Sequence, residues 1–571
     1  MKRREFIIKS AVAGAALTVP NIFSFGRNAN KLVGNPLRFP PLLQPGTPLI
    51  LNTANVEVWP GTTTEVIALN SSYPNPTIFV EKGNNFSVLF ENQYTEEATI
   101  HWHGLLVPEM MDGHPKDAVM AGNSYTYTFP VFQRAGTYFY HSHAHSLTAK
   151  HVYKGFAGFF IVDDEDEIQL GLPRGEFDVP LLIQDRRSVN QPQFIYQPNM
   201  MDQMLGYLGD LPLINGTPEA YFDVQKTLYR FRIVNGSNAR LYKIALSDNS
   251  NFWIISTDSG LKDQPAQMNN VFLAPGERID ILVDFSAYTI GESILLKTLP
   301  FSGSGGTYPQ GMAMDLLTFN IVGNGNSNGI VPANLTTIEY YNINDIERTR
   351  NFTLTMDMMG GGMHKINGLT FDMNRIDEII NKNELEEWKF INNTDEHHPM
   401  HIHGVMFQVY SRNGNTNLPA NDKGWKDTVL LNPNETVSVL IKFVDYSGIY
   451  LLHCHNLEHE DDGMMLNIRI DSPTKVEDED RSPDTFELYQ NYPNPFNPST
   501  KISYRLNKTD QNVQVSIYDV NGNLIENLYN GKQSEGVYHL TWNASRFASG
   551  TYFGKLNVDG LVKTIKLLYL K

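Results

Sequence analysis

Four histidine motifs constrain this chain more than anything else in it. They are His101-Trp-His103, His141-Ser-His143, His401-Ile-His403 and His453-Cys-His455. On a β-strand, residues i and i+2 share a face and i+1 points the other way, so each motif can present two imidazoles toward one site. The motifs come in two matched sets. His141 follows His101 by 40 residues, His453 follows His401 by 52, and no histidine lies between 152 and 363. With His398 and His459, ten of the sixteen histidines fall in these clusters. An isolated H-x-H is ordinarily a solvent-facing or core-satisfied pair. Four of them in two sets read as metal ligands.

The rest of the chain fits this demand for strands. Phe86-Ser-Val-Leu-Phe90, Ser124-Tyr-Thr-Tyr-Thr-Phe129, Gly136-Thr-Tyr-Phe-Tyr140 and Thr436-Val-Ser-Val-Leu-Ile441 alternate polar and apolar residues, the period of a half-buried strand. No long stretch has a 3.6-residue period. Acidic runs at 163–167 and 477–480 and a Gly/Asn-rich run at 323–329 mark breaks and read as solvated connectors. The segments between them have the size of β-sandwich domains.

The formal net charge of −17 disfavours nucleic acid and anionic membranes and favours cationic or neutral small partners. The N-terminus has a basic start (Lys2, Arg3, Arg4), followed by a short apolar stretch from Ala11 to Val19. That is too short to span a bilayer, so residues 1–27 read as an export leader, and Arg3-Arg4 gives it a twin-arginine look. Cys454 is the one cysteine, which excludes a disulfide framework within the chain.

Cys454 sits between His453 and His455 and points away from both. Two metal sites would then stand back to back, one residue apart. His459 and Met464 follow Cys454 at spacings of five and five, and His398 can come from a neighbouring strand. Two histidines, a thiolate and a weak axial thioether are the donor set of a blue-copper centre. Structural zinc is the competing assignment, but it leaves the other eight histidines unexplained.

These motifs resemble the four copper signatures of three-domain multicopper oxidases: His101-Trp-His-Gly104, His141-Ser-His143, His398-Pro-Met-His-Ile-His-Gly404 and His453-Cys-His-Asn-Leu-Glu-His-Glu-Asp-Asp-Gly-Met-Met465. The resemblance covers roughly residues 45–472, and the last motif is most similar to bacterial cuprous oxidases and laccase-like members. It implies an all-β fold of three cupredoxin-like Greek-key β-sandwiches, at 45–165, 175–322 and 345–472. It also implies four copper ions. His398, Cys454, His459 and Met464 would hold type 1. His101 and His401 would hold type 2. His103, His141, His143, His403, His453 and His455 would hold the type 3 pair. The implied activity is one-electron oxidation of a substrate at type 1 coupled to four-electron reduction of O2 to water at the trinuclear cluster.

By the same resemblance Asp112 and Glu460 are the proton-relay acids, although Asp112-Gly113 is also an ordinary turn dipeptide. Asp427 reads equally as a ligand-orienting residue or a strand-end aspartate. Two donor classes stand as rivals: a phenol or aromatic amine, and Cu(I) or another metal ion. Met356, Met358, Met359 and Met363 speak for Cu(I), although no long Met-rich insert is present, and Met200, Met201 and Met204 form a weaker group. Asp395 and Glu396, beside His398, could draw a cationic donor. Non-catalytic exported or cell-envelope relatives of the same fold lack copper ligands, whereas here every ligand position is filled. Two-domain copper nitrite reductases fit the chain's size and ligand distribution poorly. His114, His145, His151, His364, His397 and His539 read as surface or satisfied core residues.

After an acidic linker at 473–484, residues 485–571 open on Phe486-Glu-Leu-Tyr-Gln-Asn-Tyr-Pro-Asn-Pro-Phe-Asn-Pro-Ser-Thr500. This resembles the type A sorting domain of the type IX secretion system, a small β-sandwich. It implies a secreted or cell-surface protein handled by export and sorting machinery, with the periplasm as the alternative location. One tension remains: that system usually follows general secretory export.

Overall fold

The computed structural model describes residues 34–302, 309–326, 329–357, 363–471, 486–491, 493–520 and 522–571. The leader, the acidic linker, Met358 and Met359 lie outside these. The chain divides into two compact units at Pro473/Thr474.

The larger unit is built of paired sheets. The strands used below are β1 (Ile78–Glu81), β2 (Ile100–His103), β3 (Gly136–Ser142), β4 (Ala157–Asp163), β5 (Arg278–Asp284), β6 (Arg348–Met356), β7 (His364–Ile366), β8 (Glu378–Asn381), β9 (His398–Ile402), β10 (Thr428–Leu431), β11 (Gly448–Cys454) and β12 (Met465–Asp471). The helices used below are short: α1 (Thr148–Tyr153), α2 (Met200–Leu205) and α3 (Leu457–Asp461). Near the N-terminus a sheet ordered β1-β4-β3-β2 packs on a second four-stranded sheet. Leu49, Phe90, Trp102, Tyr140 and Phe160 from both sheets fill the core between them. A six- and a seven-stranded sheet follow, the latter containing β5, and then two five-stranded sheets. One of these last two is ordered β8-β12-β11-β9-β10.

The internal repeat of the sequence is a repeat in space. β2 pairs antiparallel with β3 so that His101 lies opposite His141, and β9 pairs with β11 so that His401 lies opposite His453. Directly opposed residues share a face. The residues between the histidines, Trp102, Ile402 and Cys454, turn into their own sandwich cores. One side of each strand is hydrocarbon and the other imidazole.

Two expectations need correction. The strands around Phe86 and Ser124 alternate in burial as expected, but Gly136–Ser142 is buried throughout and Thr436–Ile441 nearly so. β3 is covered on its second side by the middle sheets: Thr137 Oγ1 donates to Asp280 Oδ1 at 2.7 Å, and Arg278 Nε donates to the Thr137 carbonyl. The acidic run at 163–167 is not merely solvated. Glu167 is buried and accepts from Arg230 and Arg232, and Asp163 is paired with Arg174. Charges this deep are kept by pairing.

The smaller unit has a three- and a four-stranded sheet, with Phe496, Ile517, Trp542, Leu567 and Tyr569 between them.

Candidate metal centre

The eight histidines of the four H-x-H motifs converge on one buried region. Their outer nitrogens mostly face oxygen. His101 Nδ1 lies 2.8 Å from the Asp112 carbonyl, His401 Nδ1 2.8 Å from the Asp427 carbonyl and His141 Nδ1 2.8 Å from the Ser142 carbonyl. His403 Nδ1 lies 2.7 Å from Asp112 Oδ2 and His103 Nε2 3.1 Å from Asp427 Oδ1. An acceptor there fixes the ring proton on the outer nitrogen. The inner nitrogens therefore face one another as lone pairs: His101 Nε2 and His401 Nε2 at 3.3 Å, His103 Nδ1 and His141 Nε2 at 3.4 Å, and His141 Nε2 and His455 Nε2 at 3.4 Å. His453 Nε2 lies 3.3 Å from His143 Nε2 and 3.0 Å from His403 Nε2.

Nitrogen ligands about 2.0–2.1 Å from a metal at tetrahedral to trigonal angles stand about 3.3–3.6 Å apart. The spacings of 3.3 and 3.4 Å match that, and the 3.0 Å between His403 and His453 is shorter. Where both outer nitrogens meet acceptors, as at His101 and His401, neutral imidazoles cannot satisfy each other this way. Burial and neighbouring imidazoles hold His101, His103, His401, His403 and His455 well below their usual pKa, and burial brings His141 down to about 4. The region is a cage of neutral imidazole donors, the protonation state that metal binding requires.

On the other side of Cys454 the second set closes. Cys454 Sγ lies 3.6 Å from both His398 Nδ1 and His459 Nδ1, which are 3.3 Å apart. Met464 is fully buried in the same core, and the Cys454 N–H donates to its carbonyl. Burial alone would push the Cys454 thiol up, so a thiolate here needs a metal. The donor set is soft and suits copper.

Asp112 reaches two subsites at once, through Oδ2 to His403 and through its carbonyl to His101. It is also a turn residue: Gly113 has φ +80, and a Cβ there would lie 2.1 Å from the Ile100 carbonyl. The turn reading of the dipeptide holds, and the carboxylate also faces the histidine cluster. Glu460 stands with Oε1 3.5 Å from His143 Nδ1 and Oε2 3.3 Å from His453 Nδ1. Burial raises both carboxyls well above the usual range. Asp427 is no ordinary strand-end residue: Arg278 of β5 grips it through two nitrogens at 2.6 and 2.5 Å.

Three further groups orient these ligands, and two of them are not legible in the sequence. Thr394 Oγ1 meets His398 Nε2 at 2.8 Å, and the Met204 carbonyl meets His459 Nε2 at 3.0 Å, with the Asn456 amide at 3.1 Å. Asn456, three residues before His459 at the start of α3, was within reach of spacing arguments. Thr394 acts across a loop, and Met204 acts through its backbone. Of the unassigned histidines, His114 and His151 are satisfied in the core, whereas His364 is buried with neither nitrogen hydrogen-bonded among the described residues.

Fold and site together define a copper-dependent oxidoreductase of cupredoxin-like sandwiches. The multicopper oxidase family models match residues 51–167, 195–297 and 342–474, and a secretion system C-terminal sorting domain matches 490–570. The chain is 31% identical to the laccase of Bacillus subtilis (strain 168) over 474 residues, 72% of this chain and 91% of that protein. It is 32% identical to the cell division protein FtsP of Escherichia coli (strain K12), over 78% of this chain and 92% of that protein. The crystal structure of McoA multicopper oxidase from Aquifex aeolicus superposes with a TM-score of 0.71 at 38% identity, covering 77% of this chain and all of that one. The chain belongs to the multicopper oxidase family.

Proposed function

We propose that the protein is an exported oxidase that passes electrons from a small donor to O2. His398, Cys454, His459 and Met464 would hold type 1 copper, His101 and His401 type 2, and His103, His141, His143, His403, His453 and His455 the type 3 pair. Bound copper supplies one-electron acceptor sites at which O2 is taken to water. The observation that carries the reading is His453-Cys454-His455, which joins the two donor sets covalently through one residue. Asp112 and Glu460, whose carboxyls burial raises beside the cluster histidines, would hold protons for delivery. Arg278 holds Asp427, and Asp427 holds His103 in place.

Relatives named as cell division proteins are as similar as those named as oxidases, so similarity alone does not choose between catalysis and a structural role. The filled donor sets favour catalysis. Among donors the geometry favours Cu(I) over phenols. His398 and His459 are 0% and 1% exposed, and their outer nitrogens are capped by Thr394 and Met204. A bulky phenol therefore finds no open imidazole edge. Thioethers lie outside: Met200 and Met201 are exposed on α2, and Met356 is 37% exposed at the end of β6. The sandwich boundaries 45–165, 175–322 and 345–472, the leader at 1–27, and delivery to the cell surface through the sorting domain complete the proposal.

The test is one visible spectrum of the copper-loaded, air-oxidised protein, with copper counted per chain. A strong band near about 600 nm, the thiolate charge transfer of blue copper, and about four coppers support the reading. A colourless protein after full loading sinks it. Oxygen uptake with Cu(I) against a phenol then decides the donor.

A further inference from the structure

His364 opens β7 opposite Met356 of β6 and is fully buried. Among the described residues, neither ring nitrogen has a partner within hydrogen-bond distance. The carboxylate nearest its Nδ1, Asp462 Oδ2 at 3.7 Å, already accepts the backbone N–H groups of Met363 and His364 at 2.5 and 3.2 Å. The ring's close contact is another imidazole. It lies face to face on His459, with centroids 3.7 Å apart and planes 24° from parallel, and 5.9 Å from His398. Asp462 directly follows α3, which carries His459, so the same carboxylate ties β7 to the helix that bears the stacked partner.

A ring placed this way acts through its face. We infer that His364 is a positioning residue of the type 1 site, fixing the plane of His459 and keeping water off that side of the centre. The inference rests on the type 1 ligand set proposed above. The far side of His459 is fixed at its edge by the Met204 carbonyl, so hydrogen bond and stack together leave the ring one orientation. An oxidised type 1 site carries one more positive charge than a reduced one. Water admitted beside it favours the oxidised form, and a dry neighbour favours the reduced form. A held ring also spends less reorganisation on each electron accepted.

The experiment compares the copper-loaded full-length protein with His364→Ala and His364→Phe. The type 1 site is titrated against a redox couple of fixed potential, followed by its blue band and by electron paramagnetic resonance. The Ala variant should shift the oxidised-to-reduced ratio about two- to tenfold toward oxidised, the size of one aromatic stacking contact, and broaden the type 1 signal. The Phe variant should stay within about twofold of the parent, because it keeps the stacked ring. The type 2 signal reports that the fold stands, and His364→Gln carries the comparison if Ala loses that signal. An unmoved Ala variant overturns the inference, as does a Phe variant as impaired as Ala, since the nitrogens would then be what matters. A colourless parent protein would overturn the ligand set itself.

Discussion

His101 and His401 stand 300 residues apart in sequence and bring their Nε2 atoms to 3.3 Å, each with its Nδ1 on a backbone carbonyl. Neither can donate to the other, so without a cation two lone pairs are pressed together. Copper should therefore stabilise the fold, by about 4 kcal/mol at a thousandfold excess over its dissociation constant. Calorimetry of copper-loaded and chelator-stripped protein checks this. An unchanged unfolding temperature would count against a metal at this pair.

Cys454 is the proposed link between the two donor sets. Cys454→Ser should abolish the blue band and nearly all turnover while keeping the trinuclear copper. The readouts are the absorption spectrum, copper content and oxygen uptake. Normal turnover in that variant would refute the electron route.

Asp112→Asn keeps an oxygen that can accept from His403 Nδ1 and removes the proton. Copper content and reduction of the type 1 site should survive. Reoxidation by O2 should slow by roughly 10²-fold or more, the usual size of general-acid assistance. Stopped-flow measurement separates the two half-reactions, and equal slowing of both would argue for misfolding instead.

Gly104 ends the first H-x-H-G motif at φ +83, and a Cβ there would lie 2.5 Å from both Asp427 Oδ2 and Arg278 Nη2. Gly104→Ala should cost about 1–2 kcal/mol from backbone conformation alone. It should also push Asp427 off His103. Thermal unfolding and copper counts test this, and a fully loaded, equally stable Ala variant would contradict it.

His151 is buried between the Ser142 hydroxyl and Glu96, and burial brings it down to about 4. The unfolded chain takes up this proton near about pH 6.5, so between that pH and 4 the unfolded state binds more protons than the folded one. Stability should therefore fall as pH drops through this window, by up to about 3 kcal/mol for this residue. Urea midpoints for the parent and His151→Gln from pH 7.5 to 4.5 provide the check, and parallel slopes would rule it out.

The convergence of the histidines was legible because strand period and sequence spacing act together. His101/His103 and His401/His403 declare a shared face, and the second motif of each set lands on the neighbouring strand. Cys454 was legible because alternation sends it the other way. What sequence could not show depends on partners from distant strands. β3 reads as half-buried, yet Arg278 and Asp280 cover its outer side. Glu167 reads as part of a solvated run until Arg230 and Arg232 meet it. His364 reads as a spare histidine because nothing in its neighbours' identities announces the stack on His459.

The pairing of His101 with His401 also makes the site depend on both ends of the larger unit's sequence. The first and last histidine motifs are far apart in sequence, and two of the histidine groups they build, His101 with His401 and His403, and His143 with His403 and His453, draw on both. A nascent chain that has released His143 but not His455 has no complete cage. On the proposed ligand set, the complete cluster would therefore exist only in a chain whose last sandwich has closed on its first, which ties copper loading to completion of the fold.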